Sequence, residues 1–436
     1  MPIAERTSAP AVSGRLDKTD IRWMLGLGAL AFAIRLWFVL SVGQTQFSLN
    51  DAAVYNAMAT SLAHGHGFRG YWGQSTAQWP PGYPFVLSLV YRVFGAHPTA
   101  GEVLNAVLGA ATVSLLYFAA RRMLGRVEAI FVAGFMALLL SQVFFADVLI
   151  AETQFTFLVA ALLTVLSVVE PSRPRSALLV GLVLAAAMMT RGEGCLMIVV
   201  PVAMWWPDLP RRVLRRQAGI MLAVMLVFVV PWTVRNAIVM HSFIPLSTDF
   251  ASTFWAGHNP DANGGPVEPS PQLLAQIKTP PTNPKRELQI QSLLRSKAVS
   301  WMLSHPLDEL RLIPEKLIAL GASDGQAVAL WLDAQASVQR PVLSPNAQAR
   351  LIILANVGGY GLFAIFVLSL IVYGRALWRR RPILRGPLAY LCLALFLYGF
   401  VFFGSSRYHS TLEPLMLLVA APLAARLWAM RAQRLA

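Results

Sequence analysis

The segment WPPGYPFVLSLVYRVFG, residues 79–95, decides how this chain is threaded. From Pro80 it is an apolar run of about fifteen residues, short of the roughly 20 that an untilted spanning helix needs. If it crossed a bilayer, the RRMLGR run at 121–126 would face outside, against the rule that Lys and Arg collect on the cytoplasmic side. Laid in the outer interface instead, it leaves that run inside.

The rest of the topology follows from that choice. Residues 21–42 form the first predicted span, preceded by Arg15 and Lys18 and carrying Arg22 at its start, so the N-terminus is expected in the cytoplasm. The polar first twenty residues lead into an apolar run without a small-residue cleavage site, which predicts a retained signal anchor. Spans at about 101–120, 127–146, 150–169, 175–191, 194–206 and 217–238 place PSRPR (171–175) and RRVLRRQ (211–217) inside. Runs 175–191 and 194–206 are short enough to be one bent hairpin meeting the outer surface at TRGEG (190–194). Spans at about 351–373, 385–403 and 409–428 leave GRALWRRRPILR (374–385) and the terminal RAQR (431–434) inside.

Between the last two groups lies a polar, Pro- and Gly-rich stretch. Within it, Leu288, Ile290, Leu293, Leu294 and Val299 predict an amphipathic helix over 285–305, on the membrane surface or capping the bundle. The expected fold is an all-α polytopic bundle of about ten to eleven transmembrane helices with outer juxtamembrane helices and a long outer loop. It divides into a cytoplasmic tail (1–20), an N-terminal membrane module (21–238, with a first outer loop at 43–100), an outer, periplasmic region (239–349) and C-terminal helices (350–436).

Composition agrees: of 436 residues, 56% are hydrophobic and only 13% charged, far from a soluble domain. The net charge of +15 sits between apolar runs, as orientation in a membrane requires, and predicts no nucleic-acid partner. Cys195 and Cys392 lie in apolar segments, which argues against a disulfide framework or thiolate metal site. No phosphate-binding Gly-rich loop, dinucleotide motif or G-x-S-x-G elbow occurs, so neither ATP nor NAD is indicated. His64, His66 and His97 have poor ligand spacing, and His258 reads as part of a turn with Asn259, Pro260 and Gly264; no cofactor is expected, and a divalent metal is possible but not indicated.

Charged groups gather at the outer ends of the spans. They are Asp51, Asp147, Glu152, Arg191, Glu193, Arg235 and Arg407. Charges near a membrane are costly and mark sites. Carboxylates with guanidiniums on one face suit proton transfer and the binding of an anionic substrate. Asp51 could also serve as a helix cap. Arg35, inside the first span, is the one charge that would suit a midplane pathway.

The ordered set NDAAVYNAMATSLAHGHGF (50–68), WPPGYPFVLSLVYRVFG (79–95), AETQFTFLVAALL (151–163), PWTVRNAIVMHSFIPLST (231–248), FWAGHNPDANGG (254–265) and RYHSTLEPLMLL (407–418) resembles the bacterial GT-C glycosyltransferases, the superfamily of protein O-mannosyltransferases and the lipid A aminoarabinose transferase. The resemblance runs from about residue 21 to 418. It implies transfer of a sugar from a polyprenyl-phosphate donor to a hydroxyl of an envelope lipid, glycan or protein, at the outer face of the cytoplasmic membrane. The superfamily's first-loop acid falls on Asp51 and its second-loop acid on Asp147 or Glu152. The Arg-Tyr pair falls on Arg407 and Tyr408, and the Arg-Asn pair on Arg235 and Asn236. Many members carry paired acids in the first loop; here the neighbour is Asn50, which weakens any metal held by adjacent carboxylates.

The reading that results makes Asp51 the general base of an inverting transfer, assisted by Glu152 or Asp147. Arg407, Arg235 and Arg191 would face the phosphate, while Tyr408, Tyr55, Trp79 and Tyr83 offer aromatic contacts to prenyl chain and sugar. The rivals are a transporter or lipid flippase, which would place charges near the midplane, and a non-catalytic assembly subunit.

Overall fold

The computed structural model describes residues 16–42, 51–321, 324, 325, 328 and 343–435. Among these the elements are helical, apart from one isolated bridge between Arg69 and Ser75. Among the described residues six helices are long and apolar enough to cross a membrane: α1 (Lys18–Val42), α4 (Pro98–Met123), α10 (Arg211–Met240), α15 (Pro345–Arg380), α16 (Pro382–Phe396, continued by a π turn to Val401) and α18 (Glu413–Leu435). Three shorter apolar pieces complete the predicted series: α7 (Glu152–Val168), α8 (Pro174–Thr190), and a 3₁₀ segment from Gly192 running into α9 (Val199–Trp205). At 17 residues, α7 and α8 reach about 26 Å each, close to the hydrocarbon thickness.

The predicted span 127–146 is not one helix. It is α5 (Arg126–Leu138) followed, across a 54° bend at Leu139, by α6 (Leu140–Phe144) and a 3₁₀ turn ending at Asp147. A helix end orphans carbonyls that the membrane cannot solvate. Arg35 supplies the donors: its Nη1 reaches Ala31 O and Ala137 O at 3.2 Å, and its Nη2 reaches Met136 O at 3.3 Å. Gly109 on α4 makes room, since a Cβ there would stand 2.6 Å from Arg35 Nε. Arg35, buried inside the first predicted span, is therefore a cap on a broken helix.

The basic loops share one end of the bundle. Asp20 at the start of α1 pairs with Arg121 and Arg126 and accepts from Tyr117, so the beginnings of α1 and α5 and the end of α4 meet. Likewise Arg216 and Gln217, early in α10, donate to Ser172 O and Pro171 O in the α7–α8 loop. Exposed Leu226, Val227, Val230, Val234 and Ile238 give α10 an unpacked apolar face suited to lipid.

At the opposite end lie α2 (Asp51–Ala63) and α3 (Gly82–Phe94), joined by a 2.6 Å bond from Tyr91 to Asn56 Oδ1. A Cβ on Gly82 would stand 2.6 Å from Met189 O, so α3 starts against the end of α8. The α8–α9 pair folds back as a hairpin: a Cβ on Gly194 would stand 2.4 Å from the backbone of Ala187. The outer region contains α11 (Phe250–Ala256), α12 (Pro271–Leu274), α13 (Lys285–Ser304) and α14 (Pro306–Gly321). Helix α13 stands where a helix was expected, but of the predicted apolar face only Leu294 is buried, with Ala298, against Trp255, and Val299 is exposed. Helix α14 was not expected, because Pro314 in its interior reads as a breaker.

One carboxylate fastens this outer layer. Glu287 on α13 accepts from Thr76 Oγ1 at 2.6 Å, Ala77 N at 3.1 Å and Thr248 Oγ1 at 2.7 Å, linking the first outer loop to the outer region. A short α17 (Ser406–Ser410), opened by the Ser405 side chain capping Arg407 N, precedes the last span.

Candidate active site

Three helix ends converge beside α17. Asp51 is the first residue of α2, Glu152 the first of α7, Arg191 the cap that ends α8, and Arg407 sits on α17. The N-terminal position of both acids is favoured by the helix dipole. Arg407 Nη1 reaches Asp51 Oδ2 at 2.6 Å while its Nε bonds Glu152 Oε1. Arg191 Nη1 lies 2.7 Å from the same Glu152 oxygen, and its Nε is 2.8 Å from Glu193 Oε1. Glu152 thus carries two guanidiniums on one oxygen, and its other oxygen, Oε2, is buried without a hydrogen-bond partner among the described residues.

Exposure separates the two acids. The Glu152 side chain is 2% exposed and that of Asp51 is 35%, with Arg407 between them at 20%. Burial alone would depress the Arg407 guanidinium, but the charges of Glu152 and then Asp51 outweigh it and raise its pKa. For Arg191 burial is similarly overcome by Glu193 and Glu152. Both stay charged. The aromatic walls are Phe155 and Tyr408, whose ring centroids lie 5.9 and 5.5 Å from the Arg191 guanidinium, and Tyr398, which stacks on Tyr408 at 4.8 Å.

The other residues singled out in the sequence lie apart from this cluster or beneath it. Asp147, 5% exposed, lies where its charge acts on Glu102 at the start of α4. Arg235 gives Nη1 to Thr76 O at 2.6 Å and Nη2 to Phe68 O at 2.9 Å, and lies over the rings of Phe68 and Trp232, so it braces the first outer loop. Its neighbour Asn236 binds Ile244 O. Tyr55 stacks on Trp79 with centroids 5.5 Å apart and meets Tyr83 edge-on at the same distance. Tyr83 is fully buried and hydrogen-bonded to Asn105, which makes it core; Trp79 is half-buried, with its indole nitrogen unpartnered among the described residues. His64 and His66 are exposed, stacking on each other. His258 is buried and links Glu309 at 2.7 Å to Val401 O at 3.0 Å.

Two further acids approach the cluster from the outer region. Asp249, at the start of α11, accepts from Thr253 Oγ1 at 3.0 Å, and burial followed by the charge of Asp51 pushes its carboxyl up to about 7. Glu268 is raised as well, by desolvation from nearby groups and then by the charge of Asp51, although its side chain is exposed. Neither stood out in the sequence, because an acid within a polar loop offers no contrast in hydropathy. In this arrangement both the Asp51 and the Glu152 carboxylates are paired with guanidiniums.

The fold has known counterparts. The archaeal oligosaccharyltransferase AglB from Archaeoglobus fulgidus, in complex with an inhibitory peptide and a dolichol-phosphate, superposes with a TM-score of 0.52 at 13% identity, covering 96% of this chain and 52% of that one. The fold is that of the GT-C glycosyltransferases. The apo form of the A. fulgidus oligosaccharyltransferase shares this GT-C fold with a TM-score of 0.50 at 14% identity, over 95% of this chain and 52% of its own. The chain spans about half the length of these archaeal enzymes. ArnT from Cupriavidus metallidurans bound to undecaprenyl phosphate is similar at 17% identity and a TM-score of 0.45, over 92% of this chain and 78% of that one. Residues 78–234, from the first outer loop to α10, match the profile of the dolichyl-phosphate-mannose-protein mannosyltransferase family. No curated protein matches the chain.

Proposed function

We propose that the protein transfers a sugar from a polyprenyl-phosphate donor to a hydroxyl of an envelope lipid, glycan or protein, with inversion, at the outer face of the cytoplasmic membrane. The observation that carries this reading is the shared hold of Asp51 and Glu152 on Arg407, opposite the basic end of the bundle. The match of residues 78–234 to a family described by a dolichyl-phosphate-sugar donor supports the donor class.

In this mechanism the acceptor O–H gives its proton to Asp51. The freed oxygen pair forms a bond to the anomeric carbon, and the bond from that carbon to the phosphate oxygen breaks with its electrons going to phosphate. Asp51 is the base because it is the accessible carboxylate of the pair. Glu152 is too buried to reach an acceptor; it holds Arg407 and Arg191 side by side, where their charge stabilises the leaving phosphate. The phosphate leaves as an anion, so no general acid is required. Arg235 acts indirectly, by fixing the first outer loop that carries α2.

The test is transfer in reconstituted vesicles from a radiolabelled polyprenyl-phosphate sugar to an envelope extract. Labelled product with the wild type and none with Asp51→Asn is expected. Movement of intact donor across the bilayer without product would replace the transferase with a flippase.

A further inference from the structure

A second cluster lies just beyond Arg407. His409 on α17 is held between the end of α14 and the head of α18. Its Nδ1 is 2.7 Å from Leu320 O, a contact only an N–H can make, so in the neutral ring Nε2 is a bare lone pair. That lone pair faces Asp324 Oδ1 in direct contact and Glu413 Oε1 at 3.7 Å. With the ring neutral, three acceptors point at one another; with it protonated, Nε2–H donates to Asp324. Both acid side chains are 1% exposed, and among the described residues neither has a salt-bridge partner other than His409.

The surroundings orient these groups. Glu413 Oε2 accepts from Gln142 Nε2 at 2.7 Å and its Oε1 from Ser141 Oγ at 3.3 Å, both on α6 beyond the broken helix. Asp324 Oδ2 is buried with no hydrogen-bond partner among the described residues, and rests against the bare backbone of Gly359, where a Cβ would stand 2.1 Å away. The candidate ligand atoms of all three residues lie within 4.8 Å of one another.

We propose that Asp324, His409 and Glu413 bind a divalent metal ion, of which Zn²⁺ fits best, and that this ion locks the end of the outer region to the last span. An imidazole nitrogen with two carboxylate oxygens is a donor set that zinc accepts, leaving a fourth position for water. A metal-bound histidine characteristically donates its other nitrogen to a carbonyl, as His409 does to Leu320, and ligating carboxylates are themselves hydrogen-bonded, as Glu413 is. Ligands about 2.0 Å from a tetrahedral ion stand roughly 3.3 Å apart, so Glu413 is near its place and the Asp324 carboxylate needs only a small turn away from His409. His409 lies two residues after Arg407, so the ion would stiffen α17 and position that guanidinium without touching substrate.

The experiment uses full-length protein in detergent, stripped with a chelator, loaded with Zn²⁺, desalted and assayed for metal. The expected result is about one retained zinc per chain, with Co²⁺ loading producing the visible absorption bands of a low-coordinate complex. His409→Gln and Asp324→Asn should each lose at least about tenfold in affinity, since removing even a group that only hydrogen-bonds a metal ligand costs roughly 10–100-fold. Asp51→Asn should keep the ion. If His409→Gln fails to fold, Asp324→Asn decides, since it keeps size and removes only charge. No zinc in the wild type, unchanged zinc in Asp324→Asn, or loss of zinc in Asp51→Asn would each overturn the site.

Discussion

Arg407 donates to Asp51 at 2.6 Å across 356 positions of sequence, joining the start of the first outer helix to the loop before the last span. The pair is partly exposed, at 20% and 35%, so as an ion pair it adds little to stability. Its importance is in what it aims. Asp51→Asn keeps the side-chain shape and much of the favourable helix-start geometry, yet removes the proton acceptor. Turnover is expected to fall by roughly 10²–10⁴-fold, while expression and donor binding persist. Near wild-type transfer by the purified variant would end the assignment of Asp51 as base.

Arg407→Lys keeps the charge and discards the planar fork. A lysine presents one nitrogen and cannot serve Asp51 and Glu152 from two separate donors as Nη1 and Nε do. Donor use should weaken by about tenfold or more, with the acceptor KM little changed. Steady-state kinetics with each substrate varied in turn will show which parameter moves.

Glu152→Gln removes the carboxylate that two guanidiniums share. Each arginine retains a second acid, Asp51 for Arg407 and Glu193 for Arg191, so a cost of about 3 kcal/mol is expected, the lower end for breaking a buried pair. Thermal unfolding in detergent should show this as a lowered Tm. An unchanged Tm would mean that Glu152 carries no structural charge.

The pH dependence of stability should report Asp249. Its folded carboxyl is raised to about 7 from the ordinary 3.8, so the folded state holds a proton that the unfolded chain has already lost. Stability therefore falls as pH rises from about 4 to about 7, and the loss is complete above that window. Asp249→Asn should flatten this part of the profile. Tm values for both proteins at pH 5 and pH 8 make the comparison, and equal pH dependence would remove Asp249 as its source.

Much of this fold was readable from hydropathy and basic loops, because both express the same membrane physics: α1, α4, α10, α15 and α18 stand close to where the apolar runs predicted them. The break at Leu139 was not readable, since neither proline nor glycine marks it and the group that stabilises it, Arg35, lies about a hundred residues earlier. The outer-face acids and arginines were evident one at a time as charges beside apolar runs. Their pairing was not, because Asp51, Glu152, Arg191 and Arg407 meet only through tertiary packing. Arg235 illustrates the limit: its placement beside a span resembles that of Arg407, and only the contacts to Phe68 and Thr76 separate a brace from a member of the cluster.

The wide spacing of those four positions also bears on how the protein is made. A ribosome delivers residues 51, 152 and 191 with the first part of the bundle, and Arg407 only after α10 to α16 have been made. Until then Asp51 stands at the surface without the cation that orients it. A nascent or prematurely ended chain thus lacks the Asp51–Arg407 pair, and the four-residue cluster closes only in a single late step of synthesis.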